Sequence, residues 1–423
     1  MKYTETVRKI GIEVCRWLVG VVFIFSGTVK AIDPMGGAIK IDDYLTAFGM
    51  EALHPVSQLL AFNLSAVEFV LGVCLCLGVY RRYSTFLTLA FMGFMTLLTL
   101  YLALFDPVSD CGCFGDALIL TNWQTFYKNI VLLAASWVIY RGNQLMLPLF
   151  TYKVYWFVAL FAYTYAVGFA YYNYNHLPVV DFRPYKVGAN IPALMEIPEG
   201  AAEDEYRYSF VYEKDGVQKE FTLEEAPSED SSWVFVESKT ELIKQGYVPE
   251  IEAFHLFNII GEDVTDQVLH STHPVILLVA PKLEAADEER IDEINNLYDY
   301  AVENRMDFYC VTGSDEAAMI EWSDNTGAEY PFLMADDVLL KTMIRSNPGL
   351  ILLREGTILA KWHYNDFPQE ERLKQVMDDC LAGNVTSRKD ESPLTTNVLT
   401  FGVPLLLVWM YDYWRNRRQK EKK

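Results

Sequence analysis

Six apolar runs limit what this 423-residue chain can fold into more than any motif does. A helix that crosses a bilayer needs about 17 to 25 residues, and its backbone must satisfy its own hydrogen bonds there. The first run, WLVGVVFIFSGTVKAI at 17–32, spans if it begins near Ile10 and Lys30 snorkels toward the interface; it stops at Asp33-Pro34. Residues 57–79 form a second span closed by Tyr80-Arg81-Arg82, and 85–105 a third. Residues 122–140, followed by Arg141, make a fourth, and 152–172 a fifth. The sixth, 398–413, is short and precedes Arg415, Arg417, Arg418, Lys420, Lys422 and Lys423. Residues 35–55, with Gly36-Gly37 and an amphipathic stretch around Tyr44 to Phe48, suit an exposed or interfacial loop.

Composition agrees once the chain is divided. It is 52% hydrophobic yet carries a net charge of −21, which requires its apolar and acidic residues to occupy different segments. Residues 173–396 hold 44 Asp and Glu against 18 Lys and Arg, a balance that excludes nucleic acid as a partner. With six spans, the basic clusters at the N-terminus, at Arg81-Arg82, from Arg141 to Lys153 and at the C-terminus all fall on one side. The positive-inside rule makes that side cytoplasmic. The expected location is a bacterial inner membrane, with both termini cytoplasmic and 173–396 periplasmic, where disulfides persist. The lipid bilayer is the first partner this implies.

One loop on the periplasmic side carries chemistry. Cys111-Gly112-Cys113-Phe114-Gly115-Asp116 follows the third span and the Pro107 break, and holds two of the seven cysteines. Pairing residues two apart needs Cα atoms within about 4.4–6.8 Å, which a tight turn supplies. Gly112 permits the turn because it lacks a Cβ. Such a bond is strained and easily reduced, so it acts as an oxidant. Two other readings stay open: a permanently closed turn, and a metal site. Zinc wants four ligands, and no His or further Cys lies nearby, so no metal is expected. Asp110 and Asp116 flank the thiols and, as like charges, would hold them protonated.

Glu68 lies mid-span, where an ionisable residue is expensive and needs a partner. Lys30 can pair with it if their depths match, with Asn63 about one turn away. Glu68 is then a proton acceptor or quinone contact during thiol oxidation, or else a hydrogen bond that locks two helices together. Cys74 and Cys76, two apart on a helix, cannot pair and read as packing residues. Cys15 is unremarkable, and Cys310, mid-strand in Phe308-Tyr309-Cys310-Val311, reads as a small buried hydrophobe. Cys380 sits near the end of the last helix of the acidic region. His270 and His273 read as a solvated turn before a strand.

In the acidic region, 206–211 and 218–223 flank Lys214-Asp215-Gly216 as a β-hairpin. Strands are expected at 275–280 and 307–312, helices at 286–305, 317–322 and 369–381, and a hairpin of 349–353 with 358–362 across Glu355-Gly356. Alternating strands and helices indicate an α/β sandwich. The chain divides into a four-helix membrane module at 1–146, a fifth span at 147–172, a linker with a hairpin extension at 173–246, and an α/β domain at 247–384. A linker at 385–396, a sixth span at 397–414 and a basic tail at 415–423 complete it.

Two resemblances follow. Phe25-Ser26-Gly27 with Lys30 and Asp33-Pro34, Glu68 with Leu71-Gly72, and Cys-Gly-Cys-Phe-Gly after the third span resemble the DoxX-like membrane proteins, most specifically the methylamine-utilisation MauE group. That resemblance covers about 10–145 and implies a four-helix module associated with periplasmic disulfide formation or electron transfer, Cys111 and Cys113 being the redox pair. The six-span architecture as a whole resembles one found in Bacteroidetes. Residues 247–381 are similar to thioredoxin-like domains through Pro249-Glu250-Ile251, Phe254, Gly261, Thr265, the strand 275–280 and Asn347-Pro348. Where active thioredoxins carry Cys-x-x-Cys, this chain has Pro281-Lys282-Leu283-Glu284, which implies a binding module without a dithiol.

The expected fold is thus an α-helical membrane bundle, a DoxX-like four-helix module plus two further spans, with a periplasmic α/β thioredoxin-like domain. The expected function is electron exchange between Cys111 and Cys113 and the thiols of an exported or membrane partner protein, or a membrane quinone; no covalently bound cofactor is expected. The alternative is a scaffold whose acidic domain docks a partner.

Overall fold

The computed structural model describes residues 2–108, 110–202, 205–214, 217–222, 233–244, 246–381 and 393–421. Its first half is helical: α1 (Lys2–Ile32), α2 (Pro34–Ala47), α3 (Ser57–Leu77), α4 (Arg81–Phe105), α5 (Asn122–Gly142) and α6 (Tyr155–Asn175). Among the described residues, four segments are long and apolar enough to cross a membrane: Glu5–Ile32, Glu51–Leu77, Arg81–Phe105 and Tyr152–Asn175.

The fourth expected span, α5, falls outside that set because it carries polar groups on its inner face. It nevertheless lies antiparallel to α4 from end to end. Asn122 Nδ2 donates to Asp106 Oδ1 (2.8 Å), Asn129 Nδ2 to Thr99 Oγ1 (3.2 Å), and the Tyr140 ring meets Phe86. The sixth expected span lies within the helix Pro393–Glu421, which runs antiparallel to α6. Phe401 stacks on Phe161, and Asp412 accepts from the Thr151 N–H and hydroxyl.

Helix α1 is central, packing on α3, α5 and α6. Glycines let α1 and α3 approach backbone to backbone. A Cβ on Gly27 would sit 2.6 Å from the Phe69 nitrogen, and one on Gly72 2.6 Å from the Ile24 nitrogen. That close crossing sets Lys30 level with Glu68. The stretch expected as a loop at 35–55 is mostly helical instead. Asp33 caps α2 by accepting from the Gly36 N–H, and Pro34 occupies the first turn, where its missing N–H costs nothing. Those start signals outweigh Gly36-Gly37, and α2 lies against α3.

At the end of the bundle away from the cysteines, Arg16 Nη1 donates to the Leu147 carbonyl (2.8 Å) and Arg81 Nη1 to that of Met146 (2.6 Å). Arg16 and Arg81 therefore both hold the 146–147 turn at that end.

The second half comprises α7 (Ile191–Met195), β1 (Glu205–Lys214), β2 (Val217–Thr222), β3 (Val234–Lys244), β4 (Phe257–Asn258), α8 (Thr265–Leu269), β5 (Val275–Ala280), α9 (Ile291–Glu303), β6 (Asp307–Thr312), α10 (Glu316–Thr326), β7 (Phe332–Met334), α11 (Asp337–Met343), β8 (Gly349–Arg354), β9 (Thr357–His363) and α12 (Glu370–Leu381), followed by α13 (Pro393–Glu421). The main sheet has the order β4-β7-β6-β5-β8-β9. Strands β5, β6 and β7 are parallel, while β4, β8 and β9 each run antiparallel to a neighbour.

Every residue of β5 is buried, and its side chains alternate between faces. Ile276, Leu278 and Ala280 meet Ile294, Leu297, Trp322 and Leu373 on one side. Val275, Leu277 and Val279 meet Ile191, Val268, Leu340 and Met343 on the other. This is the expected α/β sandwich. Helix α9 starts at Ile291, five residues later than the pattern suggests.

Tyr185 and Ile191, assigned from sequence to the 173–246 linker, are buried in the second of these cores, and the Gly188 N–H donates to the Ile358 carbonyl. The segment before the small sheet thus packs on the main domain. That sheet, β2-β1-β3, contains the expected hairpin in a Lys214↔Val217 register, although the turn at 215–216 lies outside the described residues. So do most of the 385–396 linker and the Cys380 side chain.

Candidate functional site around the cysteine loop

The loop after α4 is tied down at its base and turned by glycine. Asn122 Nδ2 donates to Asp106 Oδ1 and to the Val108 carbonyl (2.9 Å), holding the loop entrance against α5. Gly112 has φ +63° and Gly115 φ +51°, where other residues are strained. Asp110 Oδ1 accepts from the Gly112 N–H (2.7 Å), and the other oxygen of this carboxylate accepts from Lys40 Nζ (3.0 Å). Tyr44 donates its hydroxyl to the Cys111 carbonyl (2.9 Å), so α2 supports the loop along one side. Both cysteines are thiols, Cys111 buried and Cys113 half-buried, with their Sγ atoms 3.0 Å apart.

Lys30 and Glu68, expected to pair only if their depths match, are brought together. Lys30 Nζ donates to Glu68 Oε1 at 2.6 Å, with both side chains nearly inaccessible. A residue not singled out for a role links this pair to the thiols. Ser26 Oγ lies 2.6 Å from Glu68 Oε2 and 2.7 Å from the Cys113 carbonyl oxygen. Serine has one hydroxyl proton, so with an ionised Glu68 it donates to one of the two. A proton on Glu68 Oε2 lets Glu68 donate to Ser26 and Ser26 donate to Cys113.

Beside these groups lies a partly open space of about 30 Å³, lined by Ser26, Lys30, Glu68, Cys113, Lys128 and Asn129 among others. It is large enough for a single water. Asn63 is elsewhere, accepting from the Tyr163 hydroxyl.

The two thiols differ. The hydrogen bond from Cys111 stabilises a Cys113 thiolate; burial opposes it, Lys128 and Lys30 favour it, and the net result is a Cys113 pKa lowered to about 6. Cys111 is pushed far up, first by its hydrogen bond to Cys113 and then by burial. The expectation that Asp110 and Asp116 would hold the thiols protonated fails for Cys113. Asp110 is paired with Lys40 and Asp116 with Arg345, while two lysines face Cys113. Alkylation of Cys113 by iodoacetamide is therefore expected to rise through about pH 6 and level off above it, and Lys128→Met should move that midpoint up. A midpoint near 8.5, where an ordinary cysteine titrates, would contradict this geometry.

The α/β domain reaches into the same site. Arg345, between α11 and β8, donates from Nε and Nη2 to Asp33 (3.1 and 2.9 Å) and from Nη2 to Asp116 Oδ2 (3.3 Å), while its Nη1 donates to the Lys341 carbonyl (2.7 Å). Burial would raise the Asp33 carboxyl, but Arg345 and Arg183 outweigh it and hold it below the usual range. One guanidinium thus joins the start of α2, the end of the cysteine loop and the outer domain.

The remaining candidates lie apart from this centre. Cys74 packs among residues of α3 and α6, Cys76 lies against Gly20, and Cys310 is fully buried in the sheet core. His270, His255 and His176 lie beside Asp266, Asp263 and Asp366 respectively, in three separate places. After β5 the chain runs Pro281-Lys282-Leu283-Glu284, and Asn347 Nδ2 donates to the Lys282 carbonyl (2.8 Å).

Residues 8–141 match the family described as methylamine utilisation protein MauE. They are a MauE family domain. It contains Ser26, Lys30, Glu68, Cys111, Cys113 and Lys128, and so the whole thiol centre except the Arg345 contact. Residues 206–245 match a domain of unknown function, DUF8463. Among solved structures, one described as a putative protein disulfide isomerase from Bacteroides thetaiotaomicron aligns at 15% identity. It covers 30% of this chain and 82% of that one, with a TM-score of 0.25. No curated protein matches the chain.

Proposed function

We propose that this membrane protein exchanges electrons with partner thiols through Cys111 and Cys113, and so aids disulfide formation in exported proteins. What supports the reading most is the geometry of the pair: two Sγ atoms 3.0 Å apart on a turn made by Gly112, with Lys30 and Lys128 favouring a thiolate at Cys113. In the oxidised protein, a partner thiolate attacks Cys111 and displaces Cys113, since the sulfur of lower proton affinity leaves more readily. The second partner thiol then attacks the mixed disulfide at the partner's own sulfur. A partner disulfide forms, and Cys111 and Cys113 leave with the two electrons. Glu68 and Ser26 carry the proton released or taken up beside Cys113, with Lys30 holding the carboxylate in place.

In this reading the protein lies in a bacterial inner membrane with both termini cytoplasmic. The cysteine loop and the acidic α/β domain, on the same end of the bundle, then face the periplasm. The α/β domain holds the partner above the loop, and being tethered at both ends it raises the partner's effective concentration. Cys113→Ser tests this. Activated beforehand at Cys111 as a mixed disulfide with thionitrobenzoate, it should bond that sulfur to a reduced periplasmic protein as a reductant-sensitive adduct with release of thionitrobenzoate, whereas Cys111→Ser/Cys113→Ser should show none.

The burial of Cys111 and the Arg345 clamp favour a second reading, a scaffold with a static loop. It requires partner pull-down to survive the double substitution and no adduct to form with Cys113→Ser.

A further inference from the structure

The cysteine loop closes one end of a cavity of about 210 Å³ bounded by α1, α2, α3 and α4. Ala61 and Leu64 of α3 line one wall, and Phe94, Met95 and Leu98 of α4, which share a helix face, line the other. Helix α4 rests on α5 far more than on α3, and the Phe94 side chain at this gap is 64% exposed. The gap between α3 and α4 therefore opens sideways, along the flank of two apolar helices. From the α/β half of the chain Phe182 lines the cavity, and Arg345 pairs with two of its lining carboxylates, Asp33 and Asp116.

Its polar lining holds the two thiols, Lys30, the Tyr44 hydroxyl and Lys40, together with three carboxylates, Asp110 paired with Lys40 and Asp33 and Asp116 with Arg345. A cavity of about 150 Å³ accommodates a benzene ring, so this one has room for a substituted six-membered ring with polar groups toward Lys40 and Tyr44 and an apolar tail leaving past Phe94. A molecule that fits must be lipid-borne, ring-sized, polar at one end and able to meet a dithiol.

We propose that this cavity binds the head group of a lipid-soluble quinone, which reoxidises the Cys111–Cys113 dithiol; the proposal rests on the exchange reading above. In the step, the S–S bond forms as the two sulfurs give up two electrons. Both quinone carbonyl oxygens become hydroxyls, taking one proton from the Cys111 thiol and one from the Lys30–Glu68 pair beside Cys113. The quinone leaves as hydroquinone through the opening between α3 and α4.

The test uses full-length protein in lipid nanodiscs, reduced and freed of reductant, to which a benzoquinone with a short alkyl tail is added. Hydroquinone is followed by absorbance and the thiols by mass tagging. The expected result is one hydroquinone per two thiols lost, with Ala61→Trp and, separately, Leu64→Phe slowing the reaction by about tenfold or more, equivalent to about 1.4 kcal/mol. If a variant does not fold, protection of Cys113 from alkylation by a redox-inert analogue with the same tail is the corresponding readout.

Oxidation of both folded variants at the wild-type rate, or no protection by the analogue, overturns the cavity as the site. A wild-type dithiol that exchanges with oxidised glutathione but not with the quinone overturns this proposal and leaves the exchange reading standing. A dithiol that reacts with neither overturns both.

Discussion

Replacing Glu68 with alanine is expected to destabilise the membrane domain by about 3–5 kcal/mol, because it strands the Lys30 ammonium in the bundle. Lys30 Nζ keeps the Ser26 hydroxyl, at 3.3 Å, and a neutral hydroxyl does not replace the carboxylate's charge. Thermal unfolding of the detergent-purified protein should shift down by roughly 5–10 °C. The double variant Lys30→Met/Glu68→Leu separates structure from chemistry, since exchanging a whole buried ion pair for apolar residues is often neutral. Its melting temperature should return toward that of the wild type, while its thiol oxidation stays slow for want of a proton route through Ser26. Recovery of both would make the pair a helix lock and nothing more. A single Glu68→Ala variant as stable as wild type would contradict the geometry itself.

Arg345→Gln is expected to loosen the α/β domain from the cysteine loop. The guanidinium makes a two-pronged ion pair with Asp33, and both side chains are about nine-tenths buried. No glutamine can replace its charge or its fork. The closed state should lose part of the 3–5 kcal/mol that breaking a buried pair costs, the remainder being recovered by solvent reaching Asp33. Reaction of Cys113 with a bulky, water-soluble maleimide should accelerate by about 10- to 100-fold, corresponding to about 1.4–2.8 kcal/mol. Arg345→Lys, which keeps the charge but not the geometry, should fall between. Equal labelling rates in all three proteins would show that the domain does not cover the loop.

The membrane character of the chain and the α/β order of its second half were legible because each rests on long periodic signals. Strand β5 at 275–280 is an unbroken apolar run, and the alternation of its side chains between two cores follows from the pleat. Short elements left no such signal. Strands β4 and β7, two and three residues long, carry no usable period. Helix α2 was hidden by Gly36-Gly37, although Asp33-Pro34 is a helix-start pattern in its own right.

At the site, the cysteines, Glu68 and Lys30 stand out by residue type, since each is unusual in its segment. Lys128, the one charge within the expected span 122–140, carries the same signal but was not singled out; Ser26 and Lys40 do not stand out, because each gains meaning only from what faces it. The environment of Cys113 could not be read from its sequence neighbours. Asp110 and Asp116 are adjacent in the chain but paired elsewhere, and the lysines that matter come from α1 and α5. Arg345 is 312 residues from Asp33, and no local pattern relates them.

The most direct test of the account is the redox state of Cys111 and Cys113 in intact cells, by acid quench and thiol-specific mass tagging, before and after a pulse of membrane-permeant reductant. The account predicts a mixed population that returns to its starting ratio within minutes. A pair that stays fully oxidised through the pulse, or fully reduced without recovery, would contradict it and leave the loop a static part of the fold.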